Sequence, residues 1–329
     1  MPGKTVFEFT RRPVGALCKP QAPDYANPSA TMTSAITNET AGPSNTFLVL
    51  LTTLKGMASR PSGMVGLVLV GFHIVLAIVS PAIVPYDFKE MTVQKILKAP
   101  SAEHWFGTDV LGRDVLTRTM LGGQQALFVT SIAAVIAVTW GGLLGVLLGL
   151  VGGRFDDLLM RVVDAFLAIP WILFLLLIIA MVGTGSTVLI PTLAFFYGIP
   201  VIRIVRAATH GVVARDFVTA ARARGESRTT LVRRELLPNI LDVLLVEGAM
   251  RWSWMLLSFS SLSFLGFGVT PPTSDWGLMI SDSRAYMSIA PWTALAPVTA
   301  LSSLIIGLNL SADALAKTLG VDRAQKAPV

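Results

Sequence analysis

The sequence predicts an all-α integral membrane protein with six transmembrane helices. The first observation is the composition, because 53% of the residues are hydrophobic and only 14% are charged, whereas a soluble domain carries about 25% charged residues. The second observation is a series of apolar stretches close to the roughly 20 residues that a helix needs to cross a bilayer. These stretches are 64–84, 126–151, 158–182, 187–205, 240–266 and 292–310.

The chain before the first apolar stretch divides into two parts. Residues 1–46 are rich in Pro, Ser, Thr and Asn and have no apolar core, which predicts a disordered cytoplasmic tail. The sequence leaves open whether Met1 or Met32 is the translation start. Residues 47–62 are amphipathic but too short to span, so they are predicted to lie in the membrane interface. One six-helix domain, 63–322, and a tail, 323–329, complete the chain.

The lysines and arginines of the loops predict the orientation, because these residues are enriched on the cytoplasmic side of membrane proteins. With a cytoplasmic N-terminus, 19 of the 26 Lys and Arg residues fall on the cytoplasmic side, six fall in external loops, and Arg251 lies inside a span. Both termini are therefore predicted to be cytoplasmic. The main external loop is then 85–125, and the main cytoplasmic loop is 207–239.

Charge and cysteine usage exclude several function classes. The net charge of +6 is explained by the loop asymmetry, so it does not indicate a nucleic-acid partner. The single cysteine, Cys18, excludes an intrachain disulfide, and the three histidines are too widely spaced for a histidine cluster. The sequence predicts no metal site.

A stripe of small residues marks the second predicted span. Gly141, Gly145, Gly149 and Gly153 are spaced four apart, so on a helix they form one groove that another backbone can approach closely. We interpret the stripe as a packing surface of the bundle and not as a substrate contact.

The segment "FVTAARARGESRTTLVRRELLPN", 217–239, is a compact basic stretch between two apolar spans. Its alanines favour a short helix that Asp216 is placed to cap, and Gly225 can end that helix in a left-handed conformation. Ser227 is placed to cap a second helix, and Pro238 precedes the next span. The pattern predicts a helix, a glycine turn and a second helix.

This segment resembles the "EAA" loop of the inner-membrane permeases of ATP-binding-cassette importers. Gly225 matches the central glycine of that loop, and "LP" at 237–238 matches its end. Thr219 replaces the usual glutamate, and Glu235 stands where histidine or isoleucine is frequent. The resemblance implies a coupling helix that docks on an ATPase subunit through Phe217, Thr219, Ala220, Ala221, Arg222, Arg224, Gly225, Leu237 and Pro238.

Three further motifs narrow the resemblance. "HWFGTDVLGRDVLTR", "LMRVVDAFLAIP" and "SFLGFGVTPPTSDWGLMISDSRAYMSIAPW" are similar to the second permease of the dipeptide, oligopeptide and nickel importer family, over roughly 57–322. Phe259 replaces a glutamate that many relatives have. The resemblance implies a type I importer permease fold in a bacterial inner membrane. It also implies a homologous permease as heterodimer partner, two ATPase subunits that bind ATP and Mg²⁺, and an extracytoplasmic substrate-binding protein. This chain would bind no cofactor and would have no ATPase site.

Two groups of charged residues are candidates for a site. Asp109 and Arg113 are spaced like an ion pair on a helix, with Asp114 beside them. They are either an external gate that meets the binding protein or a solvated salt bridge that orders a loop; the resemblance favours the gate. Glu247 and Arg251 lie four apart in the fifth span, where charges usually face a cavity or each other.

The fifth span is the candidate wall of a translocation path. Glu247 and Arg251 could bind the termini of a zwitterionic substrate, but the sequence favours an internal ion pair. Ser258 and Ser261 give the same helix a polar surface, although serines in membrane helices often bond only to their own backbone.

The leading prediction is a permease that imports peptides, and a nickel or other small-solute importer of the same family is the alternative. An integral-membrane enzyme would need a richer motif than His104 beside Asp109 and Asp114. An ion-coupled carrier would show inverted repeats, and no clear repeat is found in the sequence. The sequence favours both of these classes less.

Overall fold

The computed structural model describes residues 46–269 and 272–321, and all regular elements in these ranges are helical. The all-α class is therefore confirmed for this part of the chain. The predicted tails 1–46 and 323–329 lie outside the described residues, apart from Thr46. The α-helices are α1 (Thr46–Ala58), α2 (Pro61–Ile83), α3 (Val115–Val151), α4 (Gly153–Leu167), α5 (Trp171–Val182), α6 (Ser186–Val213), α7 (Asp216–Ala223), α8 (Arg228–Leu231), α9 (Leu237–Phe264), α10 (Trp276–Ser283) and α11 (Trp292–Leu319).

Four of the described helices, α2, α3, α6 and α11, are long and apolar enough to cross a membrane. The pair α4 and α5 adds a fifth span if the two bent helices count as one. Helix α9 has 28 residues, but serines, tryptophans and Arg251 make it less apolar. The count of six spans, the cytoplasmic termini and the interfacial position of 47–62 stay predictions.

The sequence predicts one continuous helix over the apolar stretch 158–182, and this prediction is wrong. The stretch is divided between α4 and α5, whose axes differ by 83° across a break of three residues. Pro170 explains the break, because proline has no N–H for the helix ladder and disfavours helical geometry at the residue before it. Helix α4 ends at its C-cap residue Ala168, whose N–H donates to Asp164 O.

Helix α9 continues a helical rod that begins before the predicted span. Ser227 starts α8, and a wide π-turn, Val232–Leu236, joins α8 to α9 without a break. In this turn the N–H of Leu237 donates to Val232 O, five residues earlier. Pro238 follows directly, in the first turn of α9, where its missing N–H costs least.

The glycine stripe packs α3 against α6, as predicted, through three of its four members. A Cβ atom on Gly141 would lie 2.4 Å from Gly198 O, and one on Gly145 would lie 2.8 Å from Ile202 O. Gly149 likewise faces the side chain of Thr209. The fourth glycine, Gly153, lies in open space at the start of α4 with φ +71°, so it belongs to a joint and not to the seam.

Helix α10 packs at the end of the bundle where α3 begins. The indole of Trp276 is buried on Gly122 and Gly123 of α3 and donates from Nε1 to Thr119 O at 2.8 Å. Its ring also meets the buried His73 of α2, 5.6 Å between centroids. Short residues on α3 therefore make the space that the largest side chain of α10 fills.

Candidate functional site

The segment 216–237 folds as the sequence predicts, with α7 and α8 joined by a glycine turn. Gly225 has φ +76°, a left-handed conformation that glycine adopts without steric cost. Ser227 caps α8, because its hydroxyl accepts from the N–H of Thr230 at 3.2 Å. The predicted cap Asp216 is wrong: Arg215 is the capping position, and Asp216 is the first residue of α7. A carboxylate in the first turn still favours the helix start through the dipole.

A small apolar cluster attaches this segment to the bundle. Val218 and Ala221 of α7 are buried with Leu231, Leu236 and Ile240 from the following helical rod. They pack against valines from α3 and α6, namely Val146, Val201, Val205 and Val212. Burial of such side chains contributes about 1.5–3 kcal/mol each, so the segment is a fixed part of the bundle and not a loose loop.

The outer face of the segment carries the positive charge. Its five arginines are all exposed, and they are Arg222, Arg224, Arg228, Arg233 and Arg234. Within the described residues only Arg224 forms an ion pair, to Glu226 at 2.6 Å. A firmly attached surface with unpaired arginines is suited to bind a complementary surface of another protein.

Some of the other predicted coupling residues are exposed and others are buried or half-buried. Phe217, Thr219 and Ala220 are exposed beside the arginines, as is Pro238. Leu237 is half-buried at the base of α9. Ala221 instead belongs to the buried cluster, so its small side chain lets α7 lie close to α6.

The predicted gate residues Asp109 and Arg113 form an ion pair in a tight turn, not on a helix. Asp109 Oδ1 accepts from the N–H groups of Leu111 and Arg113, and Oδ2 accepts from Arg113 Nε at 2.7 Å. Oδ2 also accepts from Arg118 Nη1 at 2.6 Å. The pair is buried, with 7% and 5% of the two residues exposed. The pair is therefore neither solvated nor on a helix, which contradicts the alternative of a solvated salt bridge. Gly112, at φ +73°, lets the turn lie against the backbone of Thr92.

Asp114 connects the same loop to α3. One carboxylate oxygen accepts from Thr117 N–H at 2.8 Å and caps α3, and the other lies 2.9 Å from His104 Nδ1. The His104 ring packs on Tyr86. Since Asp109 is held by arginines, His104 meets only one of the two aspartates on which an enzyme site was considered. The described residues contain no His, Cys, Asp and Glu group that could hold a metal.

Asp275 was not predicted, although an aspartate directly before a helix is a capping pattern. Its side chain accepts from Leu278 N–H at 3.1 Å and begins α10. Burial raises the pKa of Asp275 to about 6, and the hydrogen bonds and the charge of Arg118 oppose that rise. Near the far end of α10, Asp282 lies 3.9 Å from Arg113 Nη2. The turn at Asp109 and α10 thus belong to one charged network.

The predicted path residues share one face of α9, because 247, 251, 258 and 261 lie within about 80° of each other at 100° per residue. Glu247 is buried and bonded to Arg251 at 2.5 Å, which is the internal ion pair that the sequence favours. Ser258 is buried and hydrogen-bonded to the Tyr197 hydroxyl. Ser261 donates to Leu257 O at 2.8 Å and lines an open crevice of about 420 Å³ between α5, α9, α10 and α11.

Comparison with protein families gives one match, to the model described as the binding-protein-dependent transport system inner membrane component. The match covers residues 141–321. This range includes α4, the segment 216–237 and both helices that flank it.

Several curated proteins are similar over most of the chain. The dipeptide transport system permease protein DppC of Alkalihalophilus pseudofirmus is 33% identical over 80% of this chain and 87% of the relative. The glutathione transport system permease protein GsiD of Shigella dysenteriae is 37% identical over 75% of this chain and 82% of its own. The nickel transport system permease protein NikC of Escherichia coli is 33% identical over 79% of this chain and 94% of its own.

Solved structures with a similar fold include the following one. It is a chain of the MetNI methionine ABC transporter in an inward-facing conformation, with a TM-score of 0.52 and 19% identity. The match covers 62% of this chain and 96% of the other. The helical bundle around the segment 216–237 therefore has a fold that is also found in this transporter.

Proposed function

We propose a function for this chain from the premise that it belongs to the family of inner membrane components of binding-protein-dependent transport systems. Within that family it is a permease subunit of an ATP-binding-cassette importer, located in the inner membrane. We infer that it forms half of the translocation pathway for di- or oligopeptides. ATP hydrolysis on separate subunits drives this import.

Peptide import is supported by the dipeptide relative and by the oligopeptide transport system permease protein OppC of Haemophilus influenzae, which is 32% identical. Import of nickel or another small solute is the second candidate. It is favoured by the nickel permease, whose 33% identity equals that of the dipeptide permease.

The observation that carries the coupling role is the segment 216–237. It combines a buried apolar attachment to α3 and α6 with an outer face of five exposed arginines. We propose that this face, with Phe217, Thr219 and Ala220, binds an ATPase subunit. Closure of the ATPase pair would then push the segment, and the attached helices would tilt between inward-open and outward-open states.

The remaining partners follow from this arrangement. We propose a heterodimer with a homologous permease, two ATPase subunits that bind ATP and Mg²⁺, and an external binding protein. Asp109, Arg113 and Asp114 would order the external gate that meets that binding protein. Glu247, Arg251, Ser258 and Ser261 would line or support the path, with Ser261 closest to the open crevice. The chain itself would perform no chemical step.

Uptake tests the substrate. A strain that lacks this chain is compared with its parent for uptake of a labelled dipeptide, a longer peptide and nickel. Loss of peptide uptake alone supports the peptide proposal. Loss of nickel uptake alone replaces it with nickel import. Unchanged uptake of all three contradicts both peptide and nickel import and leaves another small solute as the second candidate.

Copurification tests the coupling role. Arg222→Glu reverses one charge on the proposed docking face, so we expect the tagged chain to lose its ATPase partner. Arg154→Glu is the matched control, because Arg154 is an exposed arginine of α4 outside the segment. If both variants retain the ATPase equally, docking lies elsewhere.

A further inference from the structure

Helix α4 is joined to the rest of the chain by two bends. At its start, Gly152 and Gly153 have φ +62° and +71°, and neither has a neighbour where a side chain would lie. At its end, the break before Trp171 turns the chain by 83°. Neither joint is a continuous helix, so the backbone alone does not fix the angle of α4 to α3 or to α5.

The side of α4, in contrast, is firmly bonded to α6. Asp156 is 2% exposed, and its two carboxylate oxygens accept from Nε and Nη2 of Arg206 at 2.5 Å each. His210 Nε2 lies 3.7 Å from the same carboxylate. Two turns further along α4, Asp164 meets Arg203 at 3.0 Å. A two-point guanidinium–carboxylate contact fixes orientation as well as distance.

Apolar contact fills the space between these ion pairs. Val163 of α4 is buried with Ile199 and Ile202 of α6 and with Leu148 of α3. Helix α4 therefore lies antiparallel along the second half of α6, attached near both of its own ends.

The second half of α6, which is bonded to α4, leads directly into the segment 216–237. Arg206 and His210 lie in the last turns of α6, which ends at Val213, and α7 begins at Asp216. A displacement of α7 must therefore move the residues that hold Asp156. The same displacement reaches α9 by a separate route, through α8 and the π-turn.

We propose that Asp156 is a positioning residue for energy coupling, which makes α4 and the end of α6 move as one body. The proposal rests on the proposed function and adds a second route for the movement. Displacement of the segment 216–237 would pass through the Asp156–Arg206 contact to α4, the break before Trp171 would bend, and α5 would change its position at the open crevice. Ile172 of α5 lines that crevice together with Ser261.

The first test measures coupling in the complete transporter, reconstituted in vesicles with its ATPase and binding protein. In Asp156→Asn, Arg206 loses its charged partner, and we expect transport per ATP hydrolysed to fall about tenfold while ATP hydrolysis continues. Asp157→Asn is the control, because Asp157 is the exposed neighbour. Equal loss of transport and hydrolysis would indicate a purely structural role and would overturn the proposal, as would an unchanged ratio.

The second test does not depend on the stability of the Asp156 variant. In a Cys18→Ser background, cysteines replace Asp164 and Arg203, whose exposed side chains are 3.0 Å apart, and a short bifunctional thiol reagent links them. We expect transport to stay within about twofold of the unlinked protein, because the linked helices already move together. Abolished transport would show that α4 and α6 must separate. Wild-type vesicles that neither bind an ATPase nor import any solute would instead contradict the proposed function.

Discussion

The two ends of the helical bundle use charge in opposite ways. At the end formed by the turn at Asp109 and α10, charged side chains are buried and bonded to each other, and Arg118 is only 2% exposed. At the end formed by the segment 216–237, five arginines are exposed, and among them only Arg224 forms an ion pair within the described residues. The first end uses charge to hold its own loops together. The second end leaves charge available to a partner.

This difference predicts that substitutions at one end change the stability of the fold, whereas substitutions at the other end change association with a partner. Loss of one partner of a buried ion pair at the first end should destabilise the chain, because buried charges without partners are costly. Reversal of a charge at the exposed end should leave the fold intact and affect only association, because surface substitutions change stability by about 0.5 kcal/mol or less.

Asp109→Ala should have the largest effect. It leaves Arg113 and Arg118 buried without their shared carboxylate, so we expect a loss of about 3–5 kcal/mol. Thermal unfolding of the purified protein in detergent measures it. Glu90→Ala removes an exposed carboxylate of the same loop and is the control. Identical unfolding of the two variants would break the comparison between the two ends.

Asp275→Asn tests the buried end through the pH dependence of folding stability. The native pKa of about 6 lies above the ordinary 3.8, so the native state binds the proton more tightly and stability falls as pH rises from about 4 to about 6. Asparagine keeps the capping oxygen without the charge. We therefore expect the variant to be up to about 3 kcal/mol more stable than the wild type at pH 7 and equal to it at pH 4.

The exposed Asp87→Asn is the control for this measurement, because Asp87 also accepts from a backbone N–H, that of Lys89. Thermal unfolding at several pH values would record both variants. An Asp275 variant that is less stable than the wild type at pH 7 would mean that the ionised carboxylate stabilises this end.

Ser227→Ala should have a smaller effect at the exposed end. It removes the cap of α8, so we expect a loss of about 1 kcal/mol that appears as faster amide hydrogen exchange across 228–231. Ser227→Asp keeps a capping oxygen and should exchange like the wild type. Unchanged exchange in the alanine variant would show that the packing of Leu231 alone holds the turn.

Arg222→Glu should have the smallest effect on stability, within about 0.5 kcal/mol, despite the loss of the ATPase partner proposed above. Thermal unfolding of the isolated chain beside the Arg154→Glu control would measure it. A marked destabilisation would mean that the arginine face contributes to the fold, and the contrast between the two ends would be lost.

Much of the fold follows from local patterns in the sequence. The glycine turn at Gly225 and the cap at Ser227 depend on the conformational preferences of single residues, and both are confirmed. The seam between α3 and α6 depends on a four-residue spacing, which is confirmed for Gly141, Gly145 and Gly149. Gly153 continues the spacing but lies beyond the end of α3, because Gly152 ends that helix.

The remaining features depend on contacts between distant residues, which one sequence does not reveal. The number of consecutive apolar residues predicts one span over 158–182, because that number does not detect the bend at Pro170. Asp156 meets Arg206 only because α4 folds back along α6. The sequence likewise does not show that the turn at Asp109 is buried, because Asp109 also pairs with Arg118 of α3 and Arg113 lies near Asp282 of α10.

The π-turn below α9 determines which face of that helix looks into the bundle. One additional residue in a helical turn rotates everything beyond it by about 100°. With an ordinary turn at Val232–Leu236, Glu247 would leave its buried position, and a different row of side chains would face the crevice at Ser261. The angular setting of α9 relative to α8 therefore depends on one widened turn of five residues at its base.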